Sequence, residues 1–287
     1  MPTLKDIRNR IKSVLDVEQI TKAMKMVAAA KLLKAESSLQ FAQEVLTQLE
    51  EILAGILCCH PELKVPLMNE RPVERCGFMI MTGDRGLCGG FNSNVVRKFL
   101  KAAESAGKEK TTIFGIGKKG NVQLKRVHLP MLLEKNNFYT GLSFTKAAEL
   151  LGLILEFYHQ GRVDEVKVIH TRYKPREGET IPVIKLLPFD PSVLRHQGAA
   201  ARDYLFEPEK EAVLEKLLLY YLQMKVYAML LESQTSEFFA RMTAMDLASN
   251  NATELIRTLR LDFNRARQSA ITRELIDIVG TAEALKG

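Results

Sequence analysis

FFARMTAMDLASNNATELIRTLRLDFNRARQSA, running from Phe238 to Ala270, is the stretch whose spacing decides how this chain is built. Phe238, Met242, Met245, Ser249, Ala252, Ile256, Leu259, Phe263, Ala266 and Ala270 alternate steps of four and three. That is a heptad seam, and it predicts a helix that buries one narrow stripe against a partner helix. After a shift of one residue the pattern goes on through Ile271, Leu275, Ile278, Ala282 and Leu285. Neither glycine nor proline occurs between Glu209 and Val279, and Pro208 closes off what precedes. The reading is one helix of roughly 75 residues, about 115 Å long at the helical rise.

The other end of the chain reads the same way. Neither glycine nor proline occurs between Thr3 and Ala54, and Thr3 followed by Asp6 makes a helix start. Leu4, Ile7, Ile11 and Val14 step at helical spacing, Val17, Ile20, Met24 and Val27 are read as continuing it, and Val45, Leu49, Ile52 and Ile56 complete it. Gly55 and Pro61 mark the end of a helix of roughly 55 residues. Helices so far above the usual length cannot each bury a stripe alone. Pairing the two as an antiparallel coiled coil is the economical solution, with a left-handed supercoil from the 3.5-residue seam. The C-terminal helix is longer by about 20 residues, so with the two helices level at the domain end its tip passes Met1.

Between them lies nearly all the glycine and proline. Apolar runs at Phe78 to Met81, Thr111 to Phe114, Val163 to Tyr173 and Ile181 to Leu187 read as strands. Ser93 to Ala103 and Ser143 to His159 read as helices, and Lys174 to Glu179 as a hairpin turn. Alternating strands and helices imply a parallel sheet with an antiparallel edge. The expected organisation is an N-terminal coiled-coil helix over 1–57, a Rossmann-like α/β domain over 58–207 and a C-terminal coiled-coil helix over 208–287.

Composition narrows the function. The 287 residues carry a formal charge of +7, which fits an acidic partner, nucleic acid or a membrane surface without choosing among them, or simply a solvated basic face, and no dense basic block interleaved with aromatics points to nucleic acid. Cys58, Cys59, Cys76 and Cys88 lack CxxC spacing, so reduced thiols are expected rather than a metal site. The N-terminus shows no signal-peptide pattern, and no window has the length of uncharged apolar sequence that spans a bilayer.

Two glycine motifs invite a catalytic reading. Gly115, Gly117 and Gly120 form GxGxxG after a predicted strand, in the place of a dinucleotide turn. The acidic partner expected further on is not in place, since Glu134 falls in a loop-like stretch after Pro130. The other reading is a tight strand-to-helix turn. TGDRGLCGGFN, Thr82 to Asn92, lacks the Lys-Ser/Thr pair of a phosphate loop and reads as a shaped loop in which Asp84 and Arg85 pair locally or meet a partner. The five histidines form no catalytic pattern. No catalytic, cofactor-binding or metal-binding residues are expected. The Lys22, Lys25, Lys31 and Lys34 stripe reads either as a solvated basic face or as a surface against an acidic partner.

TKAMKMVAAAKL (Thr21 to Leu32), DRGLCGGFN (Asp84 to Asn92), YLFEPE (Tyr204 to Glu209) and NRARQSAITRELIDIVGTAEAL (Asn264 to Leu285) together resemble the gamma subunit of F-type ATP synthases. The resemblance covers the whole chain, and its last motif is the most specific. Gly83 stands where serine is usual, and Arg273, Asp277 and Thr281 replace the commoner Gln, Glu and Gly. The resemblance implies a non-catalytic rotor shaft of a proton-driven, bacterial-type synthase, with the coupling ion set by other chains. Its partners would be the hexamer of alpha and beta subunits, the epsilon subunit and the c-ring. The membrane would be reached only through them, on the cytoplasmic side of the inner membrane. Lys22, Met24, Lys25, Arg267, Gln268, Thr272 and Glu274 match beta-subunit contacts. Ile276, Ile278, Val279, Ala282 and Leu285 match a tip turning in an apolar sleeve, and Tyr204 and Phe206 match the foot at the c-ring and epsilon. The stretch Pro191 to Pro208 carries no cysteine of the kind that gives plastid members thiol control. The competing readings are a non-rotary coiled-coil scaffold and a nucleotide-binding α/β enzyme built on the GxGxxG turn.

Overall fold

A computed structural model describes residues 3–174, 178–197 and 204–284. Helix α1 covers Leu4–Cys59, and a final helix covers Lys210–Ala284. Between them, in chain order, come β1 Cys76–Met81, α2 Phe91–Ala106, β2 Thr111–Ile116, α3 Lys118–Leu124, β3 Met131–Lys135, α4 Phe144–His159, β4 Glu165–Ile169, β5 Arg172–Lys174, β6 Gly178–Thr180 and β7 Val183–Leu187. The final helix is α5. By contacts the chain forms two units, one of residues 1–29 with 241–287 and one of residues 30–240.

In the first unit the start of α1 runs antiparallel to the end of α5. Arg8 lies over the Phe263 ring, Thr253 bonds Glu18, and Lys25 Nζ meets Asp246 Oδ1 at 2.6 Å. The start of α1 is capped as the sequence suggests. Asp6 N–H donates to Thr3 Oγ1, and the Asp6 carboxylate accepts from Thr3 Oγ1 at 2.7 Å and from Thr3 N–H at 3.0 Å, which together hold that carboxyl below its ordinary pKa. On α5 the seam is Met245, Ala252, Ile256 and Leu259, all buried. It loosens to half-buried Phe263, Ala266 and Ala270, and Ile271 and Leu275 are exposed. The pairing explains this, because α1 begins opposite the region just after Phe263.

The seam of α1 differs from the expected one. Val17, Ile20 and Val27 are 50%, 58% and 56% exposed, so they lie off the interface. Ile7, Ile11, Val14, Glu18, Thr21, Lys25 and Ala28 keep the four-three spacing and face inward. Polar and small residues such as Thr21 and Ala28 share this seam with Ile7, Ile11 and Val14.

The second unit is built around a five-stranded sheet of order β3-β2-β1-β4-β7. Pairs β1–β2, β1–β4 and β2–β3 are parallel, and β7 closes the edge antiparallel to β4. One face packs on α2 through Phe78, Ile80, Val95 and Phe99. The other packs on α4 and on the 30–240 parts of α1 and α5, through Met79, Met81, Leu150, Ile154, Leu53, Leu218 and Tyr221. In this unit the α1 seam comprises Leu32, Ala35, Leu39, Ala42, Leu49, Leu53 and Ile56, all buried, while Ile52 is 37% exposed.

Two further expectations change. Met131–Lys135 is a strand and not a loop, pairing with β2 at Ile113, and Pro130 suits its start because an edge strand there needs no proline N–H. The long strand expected from Val163 to Tyr173 breaks at His170 and Thr171, where β4 leaves the main sheet and β5 begins a separate hairpin with β6. The tip of that hairpin lies outside the described residues.

Candidate functional site

Sheets of this topology bind ligands beyond the carboxyl ends of their strands, where strand order reverses. Here that point lies between β1 and β4, at Thr82 and at His170 with Thr171. The crevice is filled by the chain itself.

Thr82 takes the space of the glycine turn. Its Oγ1 donates to the carbonyl of Ile116 at 2.9 Å, and Cβ atoms placed on Gly117 or Gly120 would fall onto Thr82. Gly117 has φ 99°, so glycine is required there on both counts. Asp84 takes the place of an anion. Its Oδ1 accepts from the Lys118 and Asn137 N–H groups at 2.9 and 2.7 Å, and its Oδ2 from Tyr139 N–H at 3.2 Å. The expected local pairing of Asp84 is therefore with backbone donors. Glu134 proves to lie on β3, level with Gly115 on β2, and so is better placed than its loop-like sequence implies. It is already engaged. Hydrogen bonds from Lys125, at 2.9 Å, and Asn136 hold its carboxyl below the usual carboxylate range.

The remainder of the crevice holds α5. Its segment Glu232–Glu237 has Ser233, Thr235, Ser236 and Glu237 all buried, a polar face in a helix that is apolar just before it. Ser236 Oγ donates to the Thr171 carbonyl, Ser233 Oγ bonds the Tyr139 hydroxyl, and the Gln234 amide donates to the Tyr139 carbonyl. A Cβ on Gly83 would strike the Glu237 carboxylate, which accounts for glycine at this position. Burial pushes the Tyr139 phenol far up, with the Ser233 bond only partly opposing.

Glu232 is the centre of this segment. Its Oε2 lies 2.7 Å from His170 Nε2 and 3.5 Å from Arg172 Nε, and its Oε1 accepts from Gln43 Nε2 of α1 at 3.3 Å. Burial pushes its carboxyl up, but His170 and Arg172 more than reverse this, and it sits below the ordinary carboxylate range. A carboxylate only accepts, so the shared proton belongs to His170 Nε2. His170 is fully buried. Further along, the Tyr221 hydroxyl donates to Glu50 Oε1 at 3.0 Å and accepts from Lys225 Nζ at 2.8 Å, a second polar tie between α1 and α5. Burial, with Arg172 adding to it, lowers the Lys225 pKa.

This arrangement holds α5 against the sheet. No cluster of three or more potential metal ligands occurs among the described residues. A cavity of about 990 Å³ lined by Leu57, Cys58, Leu63, Met68 and Phe189 brings no histidine to its one thiol.

The residues marked by sequence resemblance fall in three places. Lys22, Arg267, Gln268, Thr272 and Glu274 are exposed on the paired helices, Met24 is half-buried, and Lys25 is tied to Asp246. Ile276, Ile278 and Val279 are 64%, 62% and 59% exposed at the end of α5. Ala282 belongs to the last turn of that helix, and Leu285 lies outside the described residues. Tyr204 and Phe206 turn inward. The Tyr204 ring lies against Gly55, and Phe206 packs edge-on to His60. Leu205 between them is 94% exposed, which single-sequence reading missed although the alternation of Tyr204, Leu205 and Phe206 signals it.

A family model described as ATP synthase matches residues 3–285. A protein named ATP synthase gamma chain from Heliobacterium modesticaldum is 39% identical, covering 99% of this chain and all of the relative. One of the same name from Geobacter sp. (strain M21) is 40% identical, covering all of both. Among solved structures, a chain of the Tetrahymena thermophila mitochondrial ATP synthase central stalk and c-ring is similar, with 27% identity, a TM-score of 0.59, and coverage of 80% of this chain and 99% of that one. A chain of the Euglena gracilis mitochondrial ATP synthase shares the fold, with 21% identity, a TM-score of 0.67, and coverage of 98% and 94%.

Proposed function

We propose, from the premise that the chain belongs to the ATP synthase gamma-chain family, that it is the central-stalk rotor shaft of an F-type ATP synthase. It transmits torque between a membrane c-ring and a hexamer of alpha and beta subunits. The observation that carries this reading is full-length similarity to gamma chains together with two long helices that pair antiparallel and carry an α/β unit. The paired helices have no threefold symmetry. Three surrounding catalytic subunits would therefore meet three different faces, and turning the shaft would change their conformations through differential contact energy.

The finer assignments follow from the same premise. Catalysis belongs to the beta subunits, which agrees with a crevice filled by Thr82, Asp84 and α5. Lys22, Met24, Lys25, Arg267, Gln268, Thr272 and Glu274 meet the beta subunits, and Ile276, Ile278, Val279, Ala282 and Leu285 form the bearing tip. An apolar tip has few directional bonds to break on rotation. Tyr204 and Phe206 stiffen the foot toward the c-ring and epsilon, with Leu205 as its outward contact. Residues 1–57 and 208–287 serve as the shaft and 58–207 as its seat. No helix among the described residues is long and apolar enough to cross a membrane, and attachment to the cytoplasmic face of the inner membrane is through partners.

Purification of the tagged chain from its host tests the reading. One copy per alpha/beta hexamer, with epsilon and the c-ring, is expected. Recovery of the chain free of alpha and beta subunits would leave the non-rotary scaffold as the better account.

A further inference from the structure

We propose that Glu232 is the positioning residue that locks α5 in register against the α/β unit while the shaft is under torque, an inference that rests on the rotor reading above. Glu232 is held from three separate elements: His170 after β4, Arg172 on β5 and Gln43 on α1. Both carboxylate oxygens are used. Its neighbours in the crevice, Ser233, Gln234 and Ser236, make only neutral hydrogen bonds.

The argument turns on what α5 offers one helical turn away. Apolar contacts are non-directional, so a seam of leucines, valines and methionines specifies register less sharply than a charged pairing does. The positions three and four residues from Glu232 are Ala228, Met229, Thr235 and Ser236, none of which carries a charge. Any such shift would leave fully buried His170 and half-buried Arg172 facing a methyl or hydroxyl group. Fixing register is the best-attested use of a buried polar group in packed helices. Torque acts along this contact, because in the rotor the α/β unit is seated on the ring while α5 carries the work to the catalytic subunits.

The test uses complexes reconstituted in vesicles with wild-type chain, Glu232→Gln, which keeps the shape and removes the charge, and Glu232→Leu. ATP hydrolysis and initial ion pumping, where little load opposes rotation, are expected to stay within about twofold of wild type, while the largest gradient sustained falls by roughly half or more in Glu232→Leu and less in Glu232→Gln. A merely structural weakening would lower hydrolysis, initial pumping and final gradient together. In the isolated chain, amide exchange at Thr171, Arg172 and residues 232–237 should quicken by about tenfold in Glu232→Leu. A wild-type gradient in both variants overturns the lock, whatever the exchange shows. Unchanged exchange in Glu232→Leu overturns it as well. Wild-type pumping by a complex that lacks this chain altogether would instead overturn the rotor reading.

Discussion

Glu232 makes the α/β unit sensitive to acid. Its folded pKa lies below the ordinary value of 4.5, so its contribution to stability is present in full above that value and is lost as pH falls on through the folded pKa. Glu232→Gln should lower the unfolding free energy by about 1.5–3 kcal/mol at neutral pH, the range for hydrogen bonds to charged groups. The gap to wild type should narrow as pH falls below 4.5 and close once it has passed the lower folded pKa, which urea titrations across the pH range would measure. Gly83 and Glu237 make a second residue-scale case. Restoring the serine common in the family should cost about 1–2 kcal/mol through overpacking against the Glu237 carboxylate, and most of that cost should vanish in the Gly83→Ser/Glu237→Ala double mutant. The unusual glycine was visible in the sequence, but its cause, a residue far along the chain, was not. The thiols differ by environment. Burial pushes Cys76 up to about 12, and Cys88 is buried, whereas Cys58 is exposed. A maleimide at neutral pH should label Cys58 in the native chain and reach Cys76 and Cys88 only after unfolding, as peptide mapping would show.

Helices and strands reveal where the sequence stops being legible. The heptad of α5 could be read because large apolar residues mark it. In α1 the largest apolar residues misled, since Val17, Ile20 and Val27 point away while Thr21 and Ala28 face the partner helix. Spacing carried the signal, and hydrophobicity obscured it. In the isolated subunit, changing Val17 and Ile20 to lysine should alter stability by no more than about 0.5 kcal/mol each, as for other surface sites. Ala42→Leu, at a fully buried seam position, should cost about 1–3 kcal/mol. Thermal melts of the purified chain distinguish the two outcomes. Strand β3 was missed because five residues behind a proline resemble a loop, and only pairing with β2 makes them a strand. The filled crevice was equally hidden, because Thr82, Asp84, Gly117 and Glu237 meet only after folding.

At the scale of the molecule, the absence of glycine and proline at both ends made the arrangement of helix, α/β unit and helix legible, and the family motifs supplied the rest. Arg267 and Gln268 are exposed near the end of the helix pairing, free of the core. The Arg267→Ala/Gln268→Ala double mutant should therefore melt within about 0.5 kcal/mol of wild type yet slow ATP synthesis in the assembled complex, and unchanged synthesis would show these positions to be dispensable. Past the point where α1 begins, α5 presents Ile271, Leu275, Ile276, Ile278 and Val279 to water. A contiguous apolar row of this kind promotes self-association in a free protein. A cell that translates more of this chain than it can assemble thus accumulates an adhesive by-product, so balanced synthesis, chaperone escort or prompt degradation of the surplus becomes a requirement set by the last turns of one helix.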